Sequence, residues 1–481
     1  MNDFEDGRPL VLRGGTVLTM DGPATGRRVL PGADVLVVGD RIAAVGPGLE
    51  VPGGTAEIDA SGGIVMPGMI DTHRHMWQTA LRGYGADWTL TQYFVWFYLE
   101  HGKLFRPEDV HAGNTLAAVE ALDAGVTTVV DWSHGLRTPD HADAAADALL
   151  AVPGRYVLAY GDLQRPPAEW ATAPGFRDFV RRRITGDDRL GFQLAFDVLG
   201  DPSFPERAAF EVARDLGVTV TTHAGVWGAT GDDGIRLMHE HGFMTPGTVY
   251  VHAASLSADS YQRIAATGGS ISVSTESEQS AGQGYPPTWA IRAHGIPVSL
   301  SMDTSVWWSG DLFSAMRATL GADRSREHLE AHARGETVTH CALRAEQVVD
   351  WATRGGAAAI GRDDLGAVAP GRKADLVLVK NDASPVSFPL LHPYGQIAFQ
   401  AQRGDVHTVL VNGRVVKHAH RLVGVDLAAA RAEAGRTVEY LRAAMGEEAW
   451  EKGMNPDIPA TKILDNPYTY TDYRSDSTHR R

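Results

Sequence analysis

Short apolar, β-branched runs recur through the middle of the chain, at 63–70, 126–130, 156–160, 190–196, 218–222, 248–251, 270–274 and 297–302. Between many of them lie Ala-, Leu- and Arg-rich stretches with helical spacing, such as 107–124 and 207–216. A short apolar run reads as a strand buried on both faces, and strands alternating with helices build parallel βαβ units. The eight runs therefore predict an α/β fold, a (β/α)8 TIM barrel. An open doubly wound sheet is the competing arrangement.

The texture changes on either side of that block. Residues 10–18, 34–38 and 41–45 read as antiparallel strands joined by Gly-rich turns. The same pattern returns at 374–379 and 409–416, where Asn412-Gly413 is a hairpin signal. The two ends are expected to meet as a small composite β-sandwich. The expected domains are 1–62 with 364–425 for that sandwich, 63–363 for the barrel, and 426–481 for a C-terminal helix and arm. Within the last, 426–453 reads as a helix with charged faces, and the Pro/Tyr/Asp-rich remainder as a partner-contacting arm or a disordered tail.

Composition narrows the function classes. The 481 residues carry a net charge of −15, from 44 Lys+Arg against 59 Asp+Glu. That balance argues against nucleic acid as a partner, which needs a basic stripe to displace counterions. Cys341 is the only cysteine, so no intrachain disulfide and no Cys-rich zinc module can form. A reducing, cytoplasmic location suits this. The N-terminal segment is acidic and polar, and no apolar run is long enough for a membrane span.

The candidate chemistry gathers where the expected strands end. Asp71-Thr72-His73-Arg74-His75 closes the first run, and residues two apart on a strand face the same side. Alone, His73 and His75 are equally two ordinary histidines. His223 ends the fifth run, His252 the sixth and Asp303 the eighth. In a barrel the C-terminal strand ends ring one mouth, where active sites sit. Imidazoles with a carboxylate there suit Zn²⁺ or Fe²⁺ with an open position for water.

The segments 67–75 (Pro-Gly-Met-Ile-Asp-Thr-His-Arg-His), 122–130 (Leu-Asp-Ala-Gly-Val-Thr-Thr-Val-Val) and 366–379 (Gly-Ala-Val-Ala-Pro-Gly-Arg-Lys-Ala-Asp-Leu-Val-Leu-Val) resemble the amidohydrolase superfamily. The likeness is to the branch of cytosine deaminase, guanine deaminase and the triazine hydrolases, and it covers 8–425. It implies that His73, His75 and His223 bind one divalent metal, with Asp303 as fourth ligand and acceptor of a proton from metal-activated water. Zinc is favoured; iron or manganese also fits such a set. His252 would orient that water or stabilise an oxyanion. Binuclear relatives carry a bridging carboxylated Lys at the end of strand four; here 190–197 has no Lys and closes on Asp197. One metal is therefore expected, with Asp197 as the alternative second-site ligand.

One departure bears on the reaction. Deaminases of this branch carry a Glu three residues after the fifth-strand His, and this chain has Val226. Glu276 and Glu278 are the candidate substitutes, sharing a face if the seventh strand extends so far, and otherwise salt-bridged or solvated loop acids. Gln78 matches a substrate-binding position of several members. Trp77, Trp88, Tyr93, Trp96 and Tyr98 form an aromatic cluster suited to stacking on a planar ring, with packing as the default role. Trp307 and Trp308 sit where a lid could be, and His134 lies near the same mouth. Arg74 is expected to pair with a structural carboxylate.

The resemblance implies a mononuclear metal-dependent hydrolase that uses metal-activated water on a C–N bond of a small, heterocyclic nitrogen compound, by deamination or amine displacement. Cyclic amide or amidine hydrolysis is the alternative that Val226 favours, and a non-catalytic binding protein the remote one. The expected partners are a small-molecule substrate and further copies of the chain as a homo-oligomer, with neither nucleic acid nor membrane.

Overall fold

The computed structural model describes residues 7–22, 28–162, 164–184, 187–226 and 230–458. Eight parallel strands form the barrel: β1 Met69–Arg74, β2 Val126–Ser133, β3 Arg155–Tyr160, β4 Leu190–Ala195, β5 Thr219–Ala224, β6 Val249–His252, β7 Ser270–Val273 and β8 Val298–Leu300. They are hydrogen-bonded in chain order from β1 to β8. The sheet closes just beyond the end of β8: Asp303 N–H donates to the His73 carbonyl (3.1 Å) and His75 N–H to the Asp303 carbonyl (2.8 Å). The bonds that shut the barrel thus belong to candidate ligand residues.

The first apolar run proves to be two strands. Ile64–Pro67 belongs to a separate mixed sheet, and β1 starts only at Met69. Gly68 makes the break. Its N–H donates to the Asp375 carbonyl at 2.8 Å. A Cβ there would stand 2.1 Å from Thr127 Oγ1, so only glycine lets the chain pass so close to β2. Both halves are buried on both faces, and periodicity alone could not separate them.

The separate sheet has nine strands and draws on both ends of the chain. Its order is Arg421–Leu422, Arg414–His418, Val406–Val411, Leu376–Val379, Ile64–Pro67, Leu10–Leu18, Val29–Val38 and Arg41–Gly46, with Ala56–Asp59 paired beside Leu10–Leu18. Leu12, Val35, Ile58, Val65, Leu376 and Leu410 form its apolar core. The 366–379 motif supplies its attachment to the barrel. Asp375 receives Arg155 Nε of β3 at 3.0 Å, both side chains being buried. Lys373 Nζ lies 2.6 Å from Asp40 and from Asp188.

Helices Leu427–Met445 and Glu447–Gly453 follow the sheet. The second ends against the aromatic cluster: Tyr84 Oη donates to the Trp450 carbonyl (2.6 Å), Trp88 Nε1 to that of Gly453 (2.8 Å) and Gln92 Nε2 to that of Pro456 (2.8 Å). Most of the arm expected at the C-terminus, from 459 onward, lies outside the described residues. Among the described residues no helix is long and apolar enough to cross a membrane.

Candidate active site

Alternation along β1 and the turn after it aims His73 and His75 into the barrel mouth. β5 delivers His223, β6 delivers His252, and the β8–β1 closure delivers Asp303. Two overlapping groups result, His73 with His223 and His252, and His73 with His75 and Asp303, each with ligand atoms within 4.8 Å of one another. Asp303 Oδ1 stands 3.4 Å from Nε2 of both His73 and His75. His252 and Asp303 both have φ of 68°, a left-handed conformation uncommon outside glycine. Such backbone strain persists only where the surroundings impose it; at Asp303 these are the hydrogen bonds that close the barrel.

The second nitrogens of two candidate ligand rings are committed. His75 Nδ1–H donates to the Trp132 carbonyl at 2.8 Å, and His223 Nδ1–H to Asp197 Oδ1 at 2.8 Å. Each bond fixes a tautomer whose Nε2 lone pair is free to coordinate. His73 differs: both ring nitrogens are buried and neither has a hydrogen-bond partner. A buried, unpaired imidazole is costly unless something else takes its lone pair. A divalent ion would do so, and the donor set of three imidazoles and a carboxylate fits one.

Electrostatics agree with this assignment. Burial drives the His75 imidazole down to about 4 and His73 well below its ordinary range, so both rings are neutral and able to ligate. Burial alone would raise Asp303, but the His73, His75 and His252 imidazoles hold it well below the usual carboxylate range. Its other oxygen, Oδ2, accepts the Ser277 hydroxyl and, at 3.4 Å, Gln283 Nε2.

Several expected site residues fall elsewhere. Asp197 is bonded to His223 and acts as its orienting carboxylate. Glu276 and Glu278 do not share a strand face, because β7 stops at Val273 and a helix, Thr275–Ser280, follows. Two helical residues apart, their side chains diverge. Glu278 turns inward, accepting Ser274 N–H at 2.7 Å and standing 3.4 Å from His252 Nδ1. Glu276 turns away and accepts the Ser314 hydroxyl at 3.1 Å, so it reaches nothing in the mouth. Arg74 pairs with buried Glu120, which also holds Arg82.

The mouth itself is a pocket whose walls include His75, Tyr93, His134, Asp197, His223, Val226, His252, Asp303 and Trp307. Gln78 is not on its surface: Oε1 accepts the Thr304 hydroxyl (2.8 Å) and Nε2 donates to Tyr93 Oη (2.6 Å). Trp77 and Trp88 are buried behind the wall, Trp77 Nε1 donating to His134 Nδ1 at 3.0 Å. His134 stacks on His75 with ring centroids 4.0 Å apart. Ser277 and Gln283, both on Asp303, were not legible as site residues; their position after the seventh strand was the only signal. A cavity of about 640 Å³ at the opposite end of the barrel, by Arg189 and Arg414, contains none of these groups.

A family model described as the amidohydrolase family matches residues 64–416. A 5-methylthioadenosine/S-adenosylhomocysteine deaminase of Desulfitobacterium hafniense is 28% identical over 85% of this chain and 94% of its own. The enzyme of the same name from Symbiobacterium thermophilum is 30% identical over 85% of this chain and 93% of its own. Among solved structures, a mutant atrazine chlorohydrolase of Arthrobacter aurescens TC1, complexed with zinc and atraton, superposes with a TM-score of 0.77. It is 22% identical and covers 89% of this chain and 100% of its own, a likeness of fold.

Proposed function

The chain belongs to the amidohydrolase family, and from that premise we propose that it is a zinc-dependent hydrolase that removes an amino group from a small aromatic nitrogen heterocycle. The two overlapping groups that share His73, one with His223 and His252 and one with His75 and Asp303, carry this reading. His73, His75, His223 and Asp303 would hold the ion and, with Asp197 bonded to His223 rather than free, one ion per chain. A divalent ion in such a set supplies a water nucleophile at neutral pH.

The chain's own groups account for the rest of a hydrolytic deamination. The ring carbon bearing the amino group gains a C–O bond and loses its C–N bond. Asp303, ionised in its nest of imidazoles, accepts the proton of the attacking water and returns it to the departing nitrogen, so that one water is consumed and one ammonia released. His252, steadied by Glu278 behind it, faces the oxygen that develops negative charge. Trp307 and Tyr93 offer aromatic faces to a flat ring.

The decisive assay follows ammonia release from 5-methylthioadenosine, S-adenosylhomocysteine and atraton-like aminotriazines by zinc-loaded protein. Turnover of at least one, abolished in Asp303→Asn even at saturating zinc, is the expected outcome. Near-normal rates in that variant would remove Asp303 from the mechanism. Val226 favours a second reading, hydrolysis of a cyclic amide or amidine, whose signature is ring opening without ammonia.

A further inference from the structure

Tyr93 lines the pocket, and its surroundings determine where its hydroxyl proton points. The chain of reasoning starts at Trp77, whose indole nitrogen can only donate. It donates to His134 Nδ1 at 3.0 Å, so that nitrogen carries a lone pair and the ring proton sits on Nε2. His134 Nε2 faces Tyr93 Oη at 3.4 Å, and with its proton fixed there it can only donate to the phenol oxygen.

A second donor reaches the same oxygen. Thr304 Oγ1 receives Val306 N–H (3.4 Å) and donates to Gln78 Oε1 (2.8 Å). With the amide in that orientation, Gln78 Nε2–H donates to Tyr93 Oη at 2.6 Å. Tyr93 oxygen thus accepts from two sides, and neither neighbour offers a lone pair in return. With both contacts donating, no hydrogen bond among the described residues gives its own proton an acceptor, and Tyr93 itself lines the pocket. The other hydroxyl on the wall, Thr230, accepts Val226 N–H at 3.3 Å and has no such lock.

We propose that Tyr93 is a specificity-determining and catalytic hydrogen-bond donor: its hydroxyl proton is directed at an acceptor lone pair of the substrate ring, beside the carbon that is attacked. The inference rests on the heterocycle reading above and sharpens it. The preferred ligand is a planar ring lying along Trp307, whose centroid is 4.9 Å from that of Tyr93, with an unprotonated ring nitrogen at this point. A ring presenting N–H there meets two donors and is rejected, as an unpaired or clashing polar contact in a closed site. The donor also draws electron density from the ring as the C–O bond forms, which an apolar Val226 cannot do.

Two measurements test this on the full-length, zinc-loaded protein. In a neutron structure, deuterium belongs on Nε2 and not Nδ1 of His134, with the Tyr93 deuteron directed into the pocket. A deuteron on Nδ1, or one pointing from Tyr93 to Gln78, overturns the proposal. In equilibrium titrations read by tryptophan fluorescence, the probes are purine and 1-deazapurine, which lacks one six-ring nitrogen. The wild type is expected to favour purine by about five- to tenfold, the worth of one hydrogen bond, and Tyr93→Phe to bind both alike. A preference that survives in Tyr93→Phe, equal binding by the wild type, or no purine binding at all overturns it. Neither readout requires turnover. A failure of ammonia release with these results intact would therefore sink the deaminase reading and leave the role of Tyr93 standing.

Discussion

Asp197 shows how much a ligand set depends on what stands behind it. It accepts the Nδ1 proton of His223, and the imidazole lone pair faces the centre only while that bond holds. Asp197→Asn can present an N–H to the same nitrogen and so favour the wrong tautomer. Zinc affinity is expected to fall about 10- to 100-fold, measured by competition with a chromophoric chelator; unchanged affinity would contradict the tautomer argument. Glu276 makes the opposite case, an acid beside the site but outside it. Burial raises its carboxyl to about 7. A carboxyl whose folded pKa exceeds its unfolded value stabilises the fold while protonated, and that contribution fades as pH climbs from about 4.5 through 7. Glu276→Gln should therefore gain on the order of 1 kcal/mol over the wild type at pH 8 and little at pH 4, with activity unchanged. Denaturant titrations at the two pH values check the sign, and a loss of turnover in this variant would return Glu276 to the site.

At the scale of elements, a single residue, Gly68, separates the sheet strand Ile64–Pro67 from the first barrel strand. Gly68→Ala would drive a methyl group into Thr127 and part Ile64–Pro67 from β1. A cost of about 1–3 kcal/mol is expected, and because β1 carries His73 and His75, zinc affinity should fall with it. Calorimetry and metal titration on one sample test both, and wild-type stability would show that β2 yields at no cost. The same element marks where the chain's pattern was and was not legible. Eight apolar runs sufficed for a barrel because strands covered on both faces leave that mark whatever surrounds them. They hid the break at Gly68, since a close approach to Thr127 is a tertiary fact. His223, His252 and Asp303 were readable as candidates because each closes an apolar run, and the pocket's walls include all three. Whether Glu276 and Glu278 share a face was not legible, because nothing in Ser-Thr-Glu-Ser-Glu distinguishes an extended continuation of the strand from a first helical turn. Gln78 was readable as important but not as a support for Tyr93, because its two partners come from distant segments.

In the whole molecule, the pocket wall is built in two tiers. The metal-facing tier is set by the barrel and its closure at Asp303. The aromatic tier, with Tyr93 in it, leans on Trp88 and Tyr84, and these are tied to the carbonyls of Gly453 and Trp450. Trp450 itself packs against Tyr84 at a tilt, with ring centroids 4.6 Å apart. Removing residues 447–481 should leave zinc content and far-ultraviolet circular dichroism close to those of the full chain while activity drops by about 10²-fold, the order that a small misplacement costs. Full activity in the truncated protein would show that the aromatic tier stands unaided.

That division has a consequence for how the enzyme comes into being. A nascent chain holds every candidate metal ligand once Asp303 has been translated, but the carbonyls that hold Tyr84 and Trp88 arrive about 150 codons later. Metal capture can therefore precede full competence for substrate during synthesis, and a product terminated before residue 447 is expected to hold the metal while turning over about 10²-fold more slowly.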